Sequence, residues 1–400
     1  MYILHNFNYV VYALKSGEKM VNKENFKHFK ITVLHYLYRI YPIKNNKIVF
    51  CNYVGKGYGC NSKYIAEELI RRNLGLDIVW ITKDTTLKFP KQIRVVEWES
   101  PKAVWELSTA RVWVDNQRKL PYHKKRKGQY FIETWHGGTP LKKIGADNPL
   151  NKNDLPYKKT SLHMDKIVNL MIANCSWVSK VYRSAFLYTG KILECGYPRN
   201  DILVNNTDKY NKQIRKYYHL EDDIKLALYA PTYRKGRKTD MYKLDYNVLC
   251  TSLEKRFGGR WKVLVRLHPT MAEKSNELNY TEDVINVSAY DDMQELMAGT
   301  DVLISDYSTI IGEFPLSGKP VFLFATDKES YAKERDFYYD YDKLPFPQSG
   351  TNKGLAKVIE EFDDKKYADD LKEYYKIIGR KDYGNASAKV ADIIEKVIEK

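Results

Sequence analysis

From Lys47 onward, short apolar runs alternate with stretches of helical period. The runs Ile48–Cys51, Ile78–Ile81, Val95–Trp98, Val112–Asp115, Tyr130–Thr134, Leu170–Ala173 and Ile192–Cys195 predict strands. Helices are expected between them, among others over Ser62–Arg72 and Pro101–Ala110. A strand that is apolar at nearly every position is buried on both faces, as in a parallel sheet covered by helices. The polar segment Asn205–Tyr218 interrupts the series, which then restarts at Leu226–Tyr229, Val263–Leu267 and Val284–Val287. A helix over Met293–Ala298 leads to a last βαβ unit, with strands at Val302–Ser305 and Val321–Phe324. The pattern therefore predicts an α/β protein with two doubly wound parallel sheets, over residues 46–205 and 206–360. The helical, charged residues 361–400 are expected to pack across both.

The first segment, 1–45, has a different pattern. Over residues 24–41, Phe26, Phe29, Val33, Leu34, Leu37, Ile40 and Tyr41 share one helical face. Lys27, His28, His35 and Arg39 lie opposite, and Pro42 ends the helix. Two readings are open: packing against the protein's own core, or lying in a membrane interface, where each basic group adds about 1 kcal/mol near anionic lipid.

Charge narrows the list of partners. The net charge of +16 favours polyanions, whether anionic lipid, nucleotide or phosphate-rich polymer. No nucleic-acid-binding signature accompanies it, so nucleic acid is not an expected partner. Five cysteines without a CxxC pair suggest reduced, buried thiols and a cytosolic setting. Lys15, Glu18 and Lys19 break any apolar core of a signal peptide, and no run is long enough to span a bilayer. No carboxylate cluster has metal-ligand spacing, so no tightly bound metal or other cofactor is expected.

In parallel sheets, ligands gather at the carboxyl ends of strands, and the unusual residues of this chain lie there. Gly55, Gly57 and Gly59 follow the first strand, but GxGxG is not the dinucleotide-binding spacing. A flexible loop near the cleft is expected instead. Asn116 and Arg118 follow a strand and precede the basic run Lys119–Lys127, most of which reads as solvated. Arg118, nearest the strand, is the candidate for a phosphate. His136 follows another strand and precedes Gly137, Gly138, Thr139 and Lys142. Two glycines let backbone approach a ligand, and imidazole accepts a proton near neutral pH, so His136 is the expected general base.

In the second sheet, Thr232, Arg234, His268, Ser308 and Thr309 all fall at strand ends. Taken alone, Asp306, Ser308 or Thr309 would read as a helix cap. With Arg234 and His268 arriving at the same sheet edge, a diphosphate held at the helix N-terminus is the better expectation.

The series Trp135–Gly145, Gly196–Asp201 (GYPRND), Tyr229–Arg234 (YAPTYR), Arg266–Pro269 (RLHP) and Ser305–Thr309 (SDYST) resembles the CDP-glycerol glycerophosphotransferase family, over roughly residues 45 to 350. These enzymes are the primases and polymerases of wall teichoic acid and related capsule polymers. The resemblance implies a GT-B-like fold, two Rossmann-like domains facing a central cleft. It implies transfer of a polyol phosphate from a CDP-polyol to an undecaprenyl-type lipid-linked acceptor, with release of CMP. It also implies peripheral attachment to the cytoplasmic face of the cell membrane.

By the same resemblance, His136 is the base and His268 contacts the diphosphate and stabilises the CMP leaving group. The expected donor-binding set is Thr232, Arg234, Arg266, Ser305, Asp306, Ser308, Thr309 and Glu313. The expected acceptor-side set is Asn116, Arg118, Gly137, Thr139 and Lys142. Two departures leave glycerol, ribitol or another polyol open: an extra glycine after His136, and Leu344-Pro345-Phe346-Pro347 where the family more often has Pro-Gly-Pro. A Mg2+ requirement and homo-oligomerisation are open as well. The competing readings are a GT-B glycosyltransferase using a nucleotide sugar, and a non-catalytic basic scaffold for a polyanion or membrane.

Overall fold

The computed structural model describes residues 23–151, 153–234, 243–267, 280–334 and 336–399. Seven strands form the first sheet: β1 (Lys44–Cys51), β2 (Asp77–Thr82), β3 (Ile93–Glu97), β4 (Ala110–Asp115), β5 (Tyr130–Glu133), β6 (Leu170–Ala173) and β7 (Lys191–Glu194). Six form the second: β8 (Lys225–Tyr229), β9 (Trp261–Val265), β10 (Val284–Asn286), β11 (Val302–Ser305), β12 (Val321–Phe324) and β13 (Gln348–Ser349). Their spatial orders are β3-β2-β1-β4-β5-β6-β7 and β10-β9-β8-β11-β12-β13. Every neighbouring pair is parallel. Each order reverses direction beside its first strand, so each sheet has a topological switch point, β1/β4 and β8/β11, where a ligand crevice opens.

The reason lies in the apolar runs. Ile48, Val49 and Phe50 are each no more than 1% exposed, as a strand covered on both faces requires. One apolar cluster includes Trp113 and Phe131 of the first sheet, Ile202 and Leu203 of the connection, and Leu228 and Leu303 of the second. The two halves are thus docked through a continuous core.

The chain returns at its end. In the helix Ala386–Ile398, the residues Ala386, Val390, Ala391 and Ile394 form a fully buried stripe against Ile48, Phe50 and Val112. The Asp201 carboxylate accepts from the N–H groups of Ala386 and Ser387 at 2.9 and 2.8 Å, which fixes the start of that helix. The preceding helix, Asp364–Ile378, contributes Tyr367, Leu371 and Tyr374 to the shared cluster.

The N-terminal helix, Lys23–Leu37 with a 3-10 turn at Tyr38–Ile40, docks the other way round from its apolar pattern. Ile31, Thr32 and His35 face inward. His35 Nδ1 lies 2.9 Å from Ser108 Oγ, His28 stacks on Tyr122 with ring centres 4.0 Å apart, and Lys27 pairs with Glu99 at 2.5 Å. Burial pushes the His35 pKa down to about 3, so it docks as a neutral imidazole. Phe26, Leu37, Ile40 and Tyr41 are left exposed. No described helix is long and apolar enough to cross a membrane.

Candidate active site

β5 ends at Glu133, and Trp135 then takes a left-handed backbone conformation (φ 55°) that turns the chain. His136 follows, with its Nδ1 2.8 Å from the Asn116 carbonyl oxygen. A carbonyl only accepts, so Nδ1 carries the hydrogen and Nε2 keeps its lone pair. Burial pushes the His136 pKa down to about 4; the bond to Asn116 opposes this, and the Arg199 cation adds to it. The ring is flanked by Trp135 and Tyr53, with centres 4.1 and 5.4 Å away.

Asn116 acts on this histidine through its backbone. Its buried side chain donates to Asn52 Oδ1 at 2.6 Å and accepts from Tyr53 N–H at 2.8 Å, tying the ends of β1 and β4 together. The loop expected to be flexible is closely specified: Tyr53, Val54 and Gly55 have φ of 41°, 59° and 81°. A Cβ on Gly55 would meet the Trp98 ring at 2.9 Å, so that turn requires glycine.

Several residues expected on the acceptor side have protein partners of their own. Arg118 is spread over the rings of Tyr157 and Phe186 (4.3 and 4.9 Å to their centres) and donates to the Tyr157 hydroxyl. The Thr139 hydroxyl accepts from Asn174 at 3.4 Å and lies 3.6 Å from Cys175 Sγ. Lys142 Nζ reaches across to the Tyr331 hydroxyl at 3.1 Å. Gly137 is needed where it stands, because a Cβ would fall 2.9 Å from Trp135 Nε1. Lys119, in the run read as solvated, is buried with Asp115 at 2.5 Å.

The donor-side set also divides. At the end of β11, Ser305 Oγ donates to Ala230 O at 2.7 Å and is buried. Asp306 accepts from the N–H groups of Thr232 and Tyr307 at 2.8 and 2.6 Å, and from Arg234 at 2.8 Å. Arg234 forks onto Asp327 at 2.6 and 2.9 Å and donates to Thr232 O at 2.6 Å. Its guanidinium carbon lies 4.9 and 4.8 Å from the ring centres of Tyr307 and Tyr331, which stack on each other. Two carboxylates thus share the charge expected to hold phosphates, and Asp306 braces the loop through the N–H groups of Thr232 and Tyr307. Arg266 spends Nη1 on Tyr290 O (2.5 Å), with Asp291 O 3.5 Å from Nη2. Glu313 pairs with Arg199.

Ser308 and Thr309 remain. The expected helix is two 3-10 turns, Thr309–Gly312 and Phe314–Ser317, because Pro315 and Gly318 punctuate the segment. Ser308 makes no capping bond, and neither hydroxyl has a hydrogen-bond partner among the described residues. Turns this short sum little dipole, so a phosphate here would be held by individual N–H and O–H donors. His268 and the loop Lys235–Lys238 lie outside the described residues.

Three sets of polar contacts bridge the halves. Lys63 meets Asp292 and Glu295 at 2.8 and 2.6 Å, and Arg199 meets Glu313 at 2.5 Å. On the far side Lys143 pairs with Asp336 at 2.5 Å, while Tyr338 N–H donates to Leu141 O at 2.8 Å. Arg199 was not foreseen as a site residue. Its signal was its place in the Gly196–Asp201 stretch, just beyond β7. Among the described residues, no group of three or more His, Cys, Asp or Glu side chains is placed to hold a metal.

A family model for CDP-Glycerol:Poly(glycerophosphate) glycerophosphotransferase matches residues 33–396. The chain is 32% identical over 375 residues to a teichoic acid poly(glycerol phosphate) polymerase of Staphylococcus epidermidis, covering 89% of this chain and 51% of that protein. It is 28% identical over 366 residues to a polymerase of the same description from Bacillus spizizenii, covering 88% and 92%. The chain thus spans about half the length of the first relative and nearly all of the second. The structure of the wall teichoic acid polymerase TagF superposes with a TM-score of 0.81 at 30% identity, over 94% of this chain and 97% of that one. The two facing Rossmann-like sheets are the GT-B arrangement. The chain belongs to the CDP-glycerol:poly(glycerophosphate) glycerophosphotransferase family.

Proposed function

We propose that the protein transfers a polyol phosphate from a CDP-activated polyol to a hydroxyl of a lipid-linked, teichoic-acid-like acceptor, releasing CMP. The observation that carries this reading is His136: a neutral imidazole whose Nδ1–H is fixed on Asn116, leaving Nε2 as the free base. In the reaction, Nε2 takes the proton of the acceptor hydroxyl as its oxygen attacks the β-phosphorus in line. The bond from that phosphorus to the bridging oxygen breaks, and CMP carries the electron pair away. Ser308 and Thr309, with unpaired hydroxyls in the second half, are the donors assigned to the diphosphate. Such chemistry rests on position and charge stabilisation more than on covalent catalysis.

Purified protein with a lipid-linked acceptor is expected to release CMP from CDP-glycerol or CDP-ribitol. In a thermal-shift panel, a ligand at 100 times its dissociation constant adds about 2.7 kcal/mol. Stabilisation by UDP-sugars without any by CDP-polyols would instead support a nucleotide-sugar transferase.

The same proposal places the protein on an anionic membrane surface, supported by the outward apolar face of the N-terminal helix. Phe26, Leu37, Ile40 and Tyr41 are exposed there, with Lys23, Lys30 and Arg39 on the same helix and its terminal turn. Because the helix is docked by His35 and Thr32, Leu37→Gln with Ile40→Gln leaves its packing intact. That double variant is expected to lose flotation with vesicles containing phosphatidylglycerol. Undiminished flotation would remove this helix from the membrane contact.

A further inference from the structure

Arg199 and Glu313 come from opposite halves of the molecule, 3% and 1% exposed, with Arg199 Nη2 2.5 Å from Glu313 Oε1. An ion pair buried this deeply gains little over apolar packing, since desolvating both charges offsets their attraction. Its contacts point to another use. Arg199 Nη1 donates to the His136 carbonyl at 2.6 Å, with Cys60 Sγ 3.2 Å away. Asn61 accepts from the Arg199 N–H at 3.2 Å and donates to the carbonyls of Thr134 and Trp135 at 3.3 and 3.1 Å. Three successive carbonyls leading into and including His136 are therefore gripped by Asn61 and Arg199.

On the other side, Glu313 directly follows the Thr309–Gly312 turn, and its second oxygen accepts from Gln294 Nε2 at 3.0 Å. A Cβ on Gly138 would fall 2.2 Å from Glu313 Oε1. The second glycine after His136, a departure from the family's usual pattern, is thus where the carboxylate of the opposite half lies against the loop.

We propose that Arg199 and Glu313 are positioning residues for His136: the pair couples the His136 loop to the Ser308–Thr309 turn, so base and donor-side hydroxyls come into register only when the halves are docked. The inference rests on His136 acting as the base in the transfer reaction. Arg199 also places a cation near the imidazole, where it favours the neutral form.

The test compares wild type with Arg199→Met, Glu313→Gln, the double variant and Arg199→Lys. Each single variant leaves one buried charge unpaired and melts at lower temperature, whereas the double variant recovers much of the loss. If the pair positions the base, the double variant still shows kcat lowered by about 100-fold with donor KM nearly unchanged, and Arg199→Lys recovers part of the rate. Wild-type kcat in the double variant would make the pair a stability element only. A loss confined to donor KM would mean that one of the two meets the donor directly. A second readout needs no substrate: carbethoxylation of His136 across pH, followed by mass spectrometry. In Arg199→Met its midpoint is expected to rise somewhat, because the cation adds to a lowering that burial mainly causes. A labelling rate and midpoint both unchanged in Arg199→Met overturn the coupling even if the wild type proves to release no CMP, a result that would count against the proposed reaction alone.

Discussion

Replacing His136 by alanine is expected to lower kcat for CMP release by about a thousandfold while leaving donor affinity nearly unchanged. The side chain donates its one hydrogen to Asn116 O, so its loss removes the free Nε2 lone pair and strands only a carbonyl that water can satisfy. Rapid-quench measurement of CMP, beside calorimetric titration with CDP-glycerol, separates the two quantities. Normal turnover in the variant would sink the base assignment. The pH profile gives an independent check. The working form is the neutral imidazole, so activity is lost as pH falls through the folded pKa, which burial holds at about 4. The wild-type rate should therefore persist well below the ordinary imidazole value of about 6.5. Stability moves with the same sign. Between those two values the unfolded chain takes up a proton that folded His136 refuses, so this site weakens the fold as pH falls, and His136→Ala lessens that dependence.

The parallel sheets were legible because burial on both faces leaves a direct mark, a short apolar run. Each strand expected from 48 to 324 was found within a residue or two at either end, apart from β1, which starts earlier at Lys44. What could not be read was how charged groups at the strand ends are satisfied. Arg234 looked available to a ligand, but its main partner, Asp327, is 93 residues away and nothing local announces it. Glu313 likewise has its ion-pair partner far away in sequence, in Arg199. Periodicity left the N-terminal helix open between internal packing and a membrane interface, because it ranks faces by apolarity and does not show what each face meets. Here the docking surface is itself polar and aromatic, built from Ser108, Tyr122 and His123, and it prefers the side of the helix carrying His28, Thr32 and His35. His136 stood out in the sequence as a candidate because its signal is local: a strand end, two glycines and a turn.

Arg234→Met is expected to cost about 3–5 kcal/mol of stability, since it leaves the buried carboxylates of Asp306 and Asp327 facing each other without their shared cation. Asp306 would keep the N–H groups of Thr232 and Tyr307, and Asp327 the Tyr307 hydroxyl at 3.1 Å, but neither replaces the charge. Adding Asp306→Asn and Asp327→Asn removes the stranded charges and should return most of the loss, as urea midpoints would show. Donor binding in that triple variant then decides what Arg234 is for. If its work is to hold the loop that presents Ser308 and Thr309, affinity for CDP-glycerol should recover along with stability. If the guanidinium itself meets the diphosphate, stability returns while affinity stays low. The geometry favours the first outcome: Nε and Nη2 are already committed to carboxylates, Nη1 donates to Thr232 O, and the stacked rings of Tyr307 and Tyr331 lie 4.9 and 4.8 Å from the guanidinium carbon. On the proposed reading, an arginine so engaged serves the donor site by holding Asp306 still, so that the hydroxyls beyond it gain their positions from that constraint.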